Sequence, residues 1–492
     1  MSYTWLVLMI KISVDGKNKE QGMNAIIEID VGKTLLQKFE QLQHAYKADP
    51  YPNLATRKEK LLLLKQQLLT HEQELIQAVN DDFGYRSAFD TMMADVMPSV
   101  TQISYTLKNL EKWCKPSSRH AGWLLSPSRV RVEYQPLGVV GIISPWNFPI
   151  LLSLSPLITA IAAGNKAMIK LSEFTPRTNK VLINVCRQLS DDVQIVEGET
   201  EVAQAFTQLP FNHLFFTGST NVGRSVAKAA AENLTPITLE LGGKSPVIIA
   251  DDINLKKAVD AVLLGKCMNA GQICVAPDYV FVPEQKLNDF VTLFLKRFSK
   301  FYIQTKQNQQ LTHIINQRQY ERLKALLDDA QNKGAEIHTV ESHSLQGRCL
   351  YPHLVTKVSE EMKIMEDEIF GPILPIKPYS NISQVIEYIN NKPRPLALYI
   401  MSEEKPLIDR IVSSTHSGGV GINDTILHVA AEDAPFGGIG ASGMGHYHAE
   451  EGFKTFSHAK TVFHTPTWLP RARLLSRRRD QAMKILRKVF IR

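Results

Sequence analysis

The 492-residue sequence predicts an α/β fold built on a doubly wound parallel sheet, and three observations carry that prediction. From Val139 to Gly243, short apolar runs alternate with helix-length segments over roughly a hundred residues, the pattern of repeated βαβ units. The runs themselves, such as VVGII (139–143), are continuous rather than alternating, as strands buried on both faces are. A second stretch of the same texture runs from Ser245 to about Gly440. A chain of this length exceeds one hydrophobic core, so two or three domains are expected.

Taken in order, the elements are these. The apolar run Trp5–Ile10 has no basic region before it and no small-residue cleavage site after it, so no signal peptide is expected. Met23 directly precedes ordinary amphipathic sequence, and residues 1–22 are read as a leader or a misassigned start. Residues 33–81 and 91–115 have helical apolar spacing, and KPSSRHAGWLLSPS (115–128) reads as loop. RVRVEYQPLGVV then alternates in the β manner, with a break at Gln135-Pro136. The strand VVGII is followed by the loop SPWNFP, a helix over 150–163 and the strand KAMIKLSE. A helix over 177–189, the strand VQIVEG and a helix near 200–208 come next, then the strand HLFFTG, the turn STNVG, the helix RSVAKAAAENL and the strand ITLELGG. Near the end, AKTVFHT alternates like a strand outside the main sheet.

Composition narrows the class. No stretch approaches the roughly 20 apolar residues of a spanning helix. The five cysteines, Cys114, Cys186, Cys267, Cys274 and Cys349, are odd in number and widely spaced. That argues against a disulfide framework and for a reducing, cytoplasmic setting. Each is read first as a small buried hydrophobe. The formal charge of +7 is misleading, because nine basic residues and one acid from Pro470 onward contribute +8 and leave residues 1–469 at −1. The body of the chain is therefore not a nucleic-acid binder by charge. In the tail, 470–492, Ala482, Ile485, Leu486, Val489 and Phe490 fall on one helical face with basic residues between them. This is the pattern of a peripheral membrane-surface segment, and a helix packed on its own subunit fits it equally well.

The formal dinucleotide fingerprint GxGxxG occurs at GIGASG (438–443), but a Pro-Phe-Gly-Gly turn precedes it where a strand is required, so it is read as a glycine-rich loop. FFTGSTNVGRSVAKAA is the better nucleotide candidate. Gly218 ends a strand, Gly223 opens a helix whose N–H groups can meet a phosphate, and Ser219 can add a hydroxyl. Lys170 and Glu173, in KLSE at the end of an earlier strand, suit a ribose diol, and Glu173 would repel a 2′-phosphate, which favours NAD over NADP. Alone, these two residues read as a surface ion pair.

Seven motifs in order resemble the aldehyde dehydrogenase superfamily: PWNFP (145–149), KLSE (170–173), FTGST (216–220), LELGGKSP (239–246), GQICVAPDY (271–279), EIFGPILP (368–375) and PFGGIGASGMG (435–445). They span about residues 30–465, and GQICVAPDY with SGMGHYHAEEGFKTFSHAK is most similar to the class-3 branch, within it to bacterial coniferyl aldehyde dehydrogenases. Where many relatives have proline after the lysine of the KLSE motif, this chain has Leu171.

The resemblance implies a Rossmann-type NAD-binding domain (23–117 and 138–242), an α/β catalytic domain (243–441) and a small β oligomerisation arm (118–137 and 457–466), assembled as a homodimer. It also implies oxidation of an aldehyde to its carboxylic acid, with NAD preferred, through a thiohemiacetal and a thioester on Cys274. That chemistry needs a thiolate. Asn147 and the Cys274 backbone N–H would serve the oxyanion. Glu240, flanked by leucines, would be the general base, its pKa raised by apolar surroundings. Glu368 and Phe370 match positions that hold the nicotinamide ribose and pack near the ring, and Trp146 lines the cofactor cleft. Ala270 and Gly271 would let backbone and substrate approach the sulfur. No metal is implied, and His446 and His448 are read as structural. The bland readings are a turn role for Asn147 and a salt-bridged strand end for Glu240. The substrate reading is an aromatic, coniferyl-type aldehyde, with medium or long aliphatic aldehydes next. A coenzyme A-acylating enzyme, which Glu240 argues against, and a non-catalytic binding protein are the competing classes.

Overall fold

The computed structural model describes residues 19–303, 311–340 and 347–491. Most of the expected leader, residues 1–22, lies outside the described residues. The alternation seen in the sequence resolves into two largely parallel sheets and a third, small antiparallel one.

The first sheet contains β3 (Val139–Ile143), β4 (Lys166–Lys170), β5 (Val193–Val196), β6 (His213–Thr217) and β7 (Ile237–Glu240) in parallel, in the order β7-β6-β3-β4-β5. All five residues of β3 and of β4 are buried; β3 is an unbroken apolar run, whereas β4 carries a lysine at each end, Lys166 paired with Asp192 and Lys170 with Glu173. The order reverses between β3 and β6, so the chain leaves these neighbours toward different sides and opens a crevice at their carboxyl ends. The helix Leu151–Ala163 follows β3, and the helix Thr220–Glu232 follows β6.

The second sheet has the order β10-β11-β12-β9-β8-β13-β14, from β8 (Pro246–Ile249), β9 (Tyr279–Pro283), β10 (Glu336–His338), β11 (His353–Thr356), β12 (Ile373–Tyr379), β13 (Ala397–Met401) and β14 (Gly419–Ile422). Among the described residues only its β10–β11 pairing is antiparallel. Apolar clusters fill both faces of the first sheet and both faces of the second.

The third sheet pairs β1 (Ser117–Arg119), β2 (Arg129–Pro136) and β16 (Ser457–His464). Two expectations are corrected here. Residues 117–119 are strand rather than loop, a three-residue strand too short and polar to show a period. Pro136 ends β2 without breaking it: β1 has already stopped opposite Val130, Arg131 and Val132, so only β16 borders the strand there.

The tail forms two helices, Arg471–Arg477 and Arg479–Phe490, rather than one. It docks on the 122–128 loop: Arg471 donates to Leu125 O, Ser126 O and Ser128 Oγ, and the Phe490 ring lies 5.8 Å from Trp123. Ile485, Val489 and Phe490 stay exposed. Among the described residues no helix is long and apolar enough to cross a membrane.

Candidate active site

After the helix Leu255–Cys267 the chain turns through Asn269 and Ala270, both at positive φ (49° and 52°), before reaching Cys274. Left-handed backbone is unfavourable for residues with a Cβ, so packing must impose it. Gly271, at φ +71°, has a specific need: a Cβ there would sit 2.6 Å from the carbonyl oxygen of Gly371. The small residue thus serves contact between two loops.

Cys186, Cys267 and Cys349 are buried, as a small hydrophobe should be. Cys114 is only half-buried, and Arg57 Nη1 approaches its sulfur at 3.8 Å, a correction to the reading of it as core. Cys274 is also half-buried. Burial, with the charges of Glu368 and Glu240, pushes its thiol up to about 12, against hydrogen bonds from the backbone N–H groups of Cys274 and Val275. At rest the sulfur is a thiol, and it needs a base.

Glu240 closes β7 and is 3% exposed. Neither of its carboxylate oxygens has a hydrogen-bond partner among the described residues. Burial holds its pKa well above the ordinary carboxyl range. A buried carboxyl without a partner is costly unless it is neutral or has work to do. This rules out the salt-bridged strand end.

Asn147 is buried, and its Nδ2 donates to Gln272 O at 3.2 Å, across to the loop that carries Cys274. The amide has two hydrogens, so one fixes its plane and the second is available to an oxyanion. A turn residue bonded only to its own loop would not reach Gln272.

At the carboxyl end of β4, Lys170 Nζ lies 2.8 Å from Glu173 Oε2. The ion pair exists, but Lys170 is buried and only Glu173 is partly open, so it is not a surface pair. Ser219 caps the helix Thr220–Glu232 and accepts from Val222 N. Gly218 and Gly223 are required by close packing, since Cβ atoms there would lie 2.5 Å from the Phe216 ring and 2.6 Å from Leu241. A buried ammonium, a half-open carboxylate and a capped helix start, all at the carboxyl ends of parallel strands, fit a dinucleotide.

Glu368 lies against the backbone of Gly242, where a Cβ would fall 2.3 Å from either carboxylate oxygen, and accepts from the Gly243 N–H. Burial, followed by Asp278, raises its pKa to about 7. Its loop is pinned: Lys244 pairs with Asp278 and donates to Ile364 O and Asp367 O, while Asp278 Oδ2 accepts from Ile369 N. Phe370 has φ +48°, and its ring stands edge-on to Trp146 at 5.4 Å. Glycines 438–443 lead instead into β15 (Gly443–Met444), which adds antiparallel to β7 opposite Glu240 and Leu239. His448 packs between Phe436 and Tyr447.

The site therefore has two parts. Cys274, Glu240, Asn147 and Glu368 share one buried region, with Trp146 and Phe370 in contact with each other. Lys170, Glu173, Ser219 and Gly223 sit at neighbouring strand ends of the first sheet. Sequence reasoning passed over Arg86, Asp95, Asn269, Gln272 and the Lys244–Asp278 pair. Asn269 and Gln272 lie beside Cys274 and Asp95 is an acid inside an apolar helix, but nothing local distinguishes Arg86.

Residues 37–462 match the sequence profile described as the aldehyde dehydrogenase family. The chain is 46% identical over 456 residues to a probable coniferyl aldehyde dehydrogenase of Pseudomonas aeruginosa, covering 92% of this chain and 96% of that one. Its structure is similar to the substrate-bound state of Staphylococcus aureus AldH (TM-score 0.84, 37% identity, 88% of this chain and 94% of that one). It is also similar to a Mycobacterium tuberculosis aldehyde dehydrogenase complexed with NAD+ (TM-score 0.80, 26% identity, 90% and 91%).

Proposed function

The chain belongs to the aldehyde dehydrogenase family, and from that membership we propose that it oxidises aromatic, coniferyl-type aldehydes with Cys274 as nucleophile, Glu240 as general base and Asn147 as oxyanion donor. NAD-dependent oxidation of an aldehyde is the reaction of the family. The residue roles rest above all on one observation: Glu240 is buried, has no hydrogen-bond partner among the described residues, and lies close enough to raise the Cys274 thiol.

Bound NAD supplies the hydride acceptor. The Cys274 sulfur gives up its proton to the Glu240 carboxylate, which passes it on to solvent, and the sulfur adds to the aldehyde carbon, forming a thiohemiacetal. The oxygen that gains charge is met by the Asn147 side-chain N–H and the Cys274 backbone N–H. After the hydride leaves, a thioester remains on Cys274. Glu240 then takes a proton from the water that attacks it, and the acid is released. Lys170 and Glu173 take a ribose diol, while Gly218, Ser219 and Gly223 present the helix start to phosphate. Glu368, Phe370 and Trp146 hold the nicotinamide end.

The P. aeruginosa relative's name supports the substrate class. Steady-state rates of NADH formation with coniferyl aldehyde, benzaldehyde and a long-chain aliphatic aldehyde test it. We expect kcat/KM for coniferyl aldehyde to exceed that for the aliphatic compound by about tenfold or more. The opposite order establishes the aliphatic reading instead.

Three architectural assignments complete the reading. Residues 23–117 and 138–242 form the NAD-binding domain, and 243–441 form the catalytic domain. The exposed outer strand β16, with Phe463 46% open to solvent, joins two copies into a homodimer. The tail's exposed Ile485, Val489 and Phe490 beside its arginines and lysines suit a peripheral contact with anionic lipid. Co-sedimentation with phosphatidylserine vesicles should therefore fall with added salt and vanish on deleting 470–492. Full-length protein that stays in the supernatant at low salt would end that assignment.

A further inference from the structure

Beneath the Asn147 loop lies a buried ion pair that the catalytic reading does not use. The side chains of Arg86 and Asp95 are both inaccessible to solvent, with Arg86 Nη2 2.7 Å from Asp95 Oδ2. Arg86 Nη1 donates to the backbone carbonyl of Asn147 at 2.8 Å. The other carboxylate oxygen, Asp95 Oδ1, accepts from the N–H groups of Ile150 and Leu151 at 3.1 and 2.9 Å. The guanidinium also lies over the rings of Phe83 and Phe148, at 5.2 and 5.0 Å from their centroids. One ion pair thus holds both ends of the segment Asn147–Leu151.

The same carbonyl of Asn147 accepts a second bond, from Asn269 Nδ2 at 3.1 Å, and that amide also donates to Gln272 O. Gln272 O is the acceptor that orients the Asn147 amide. Gln272 is fixed in turn by Ile315 N, which donates to its Oε1, and by its own bonds to Asn269 O and His313 O. Asp95 sits in a π-helical turn, Met92–Val96, a distortion that often marks a functional position.

A buried ion pair is a poor source of stability, because desolvating both charges offsets most of their attraction. What it does supply is position. We propose that Arg86 and Asp95 are positioning residues that hold Asn147 in register with Cys274, so that its free amide hydrogen meets the developing oxyanion. The inference rests on the assignment of Asn147 as oxyanion donor. It predicts that loosening the brace costs rate through Asn147 and through nothing else.

A double-mutant cycle on kcat tests it, using the full chain with NAD and the best aldehyde substrate. Arg86→Lys keeps the charge opposite Asp95 but loses the planar fork that reaches both Asp95 and the Asn147 carbonyl. We expect this variant to melt close to the wild type, to lose about tenfold to a hundredfold in kcat, and to change little in the KM for NAD. In the Asn147→Ala background the same substitution should cost less than about twofold, which is within the ordinary scatter of such a cycle. Asp95→Asn, which keeps an acceptor for Ile150 and Leu151, should show the same coupling.

An equal loss in both backgrounds overturns the proposal, as does unchanged kcat in folded Arg86→Lys and Asp95→Asn. Failure of both variants to fold also overturns it, by assigning the pair to stability. If Asn147→Ala alone leaves kcat intact, the oxyanion assignment itself has failed, and that outcome is read from the single variant.

Discussion

Cys274→Ala should abolish aldehyde-dependent NADH formation, with kcat reduced by about 10⁴-fold or more and NAD binding preserved. The magnitude follows from what disappears. Without the sulfur the aldehyde carbon cannot become tetrahedral, and a free aldehyde is a poor hydride donor. Losses of this order accompany removal of a covalent nucleophile. The substitution removes a half-buried side chain of small volume, so folding should survive and the loss is chemical. The other four cysteines provide the control. Cys186, Cys267 and Cys349 are buried, and burial also raises their thiols, to about 12 for Cys186 and about 11 for Cys349. Among the described residues none of them has a carboxylate with unpartnered oxygens beside it, so single substitutions there should change stability before rate.

Glu240→Gln should lower steady-state kcat by about 10²- to 10⁴-fold. It should do so at a different step, with NADH appearing in a burst close to one equivalent per active site before turnover stalls. Acylation produces the NADH, whereas the base is needed most when water attacks the thioester. The pH dependence has a definite sign. Burial raises the Glu240 pKa well above the ordinary carboxyl range, so its ionised form, the base, gains population only at a higher pH than an exposed carboxyl would need. The raised Cys274 thiol pushes activity the same way. Wild-type kcat should therefore rise on the alkaline side, and the variant should lose the part of that limb due to Glu240.

The same shift is a statement about stability. A carboxyl whose pKa is raised on folding holds its proton more tightly in the native state. Its contribution is complete below the ordinary carboxyl range and is lost as pH rises through the folded value. Glutamine carries no such proton, so the stability of Glu240→Gln relative to wild type should grow with pH when melting is compared under acidic and alkaline conditions. A gain in stability joined to a loss of rate is what a strained catalytic group gives.

Much of this was legible in the sequence because the chemistry and the periodicity are local. The fully buried strand β3 announces itself as an apolar run, and Glu240 stands out as an acid between two leucines. The glycine-rich GIGASG could be set aside because a turn rather than a strand precedes it, and it runs into the short strand β15 beside β7. Other features rest on long-range contacts. Arg86 meets Asn147 across 61 residues, and Lys244 reaches Asp278 across 34. Gly271 is required by Gly371, a hundred positions away. Ser117–Arg119 is strand only because β2 lies beside it. Such pairings leave no period or spacing in either segment alone.

The measurement closest to the central claim is the mass of the stalled enzyme. Glu240→Gln should be mixed with NAD and aldehyde, quenched in acid within the burst, and mapped by proteolysis and mass spectrometry. An acyl group on the peptide containing Cys274, accumulating with the NADH burst and absent from Cys274→Ala, is the result expected. NADH formation with that peptide unmodified, or the acyl group on any other residue, would contradict the assignment of Cys274 as the nucleophile.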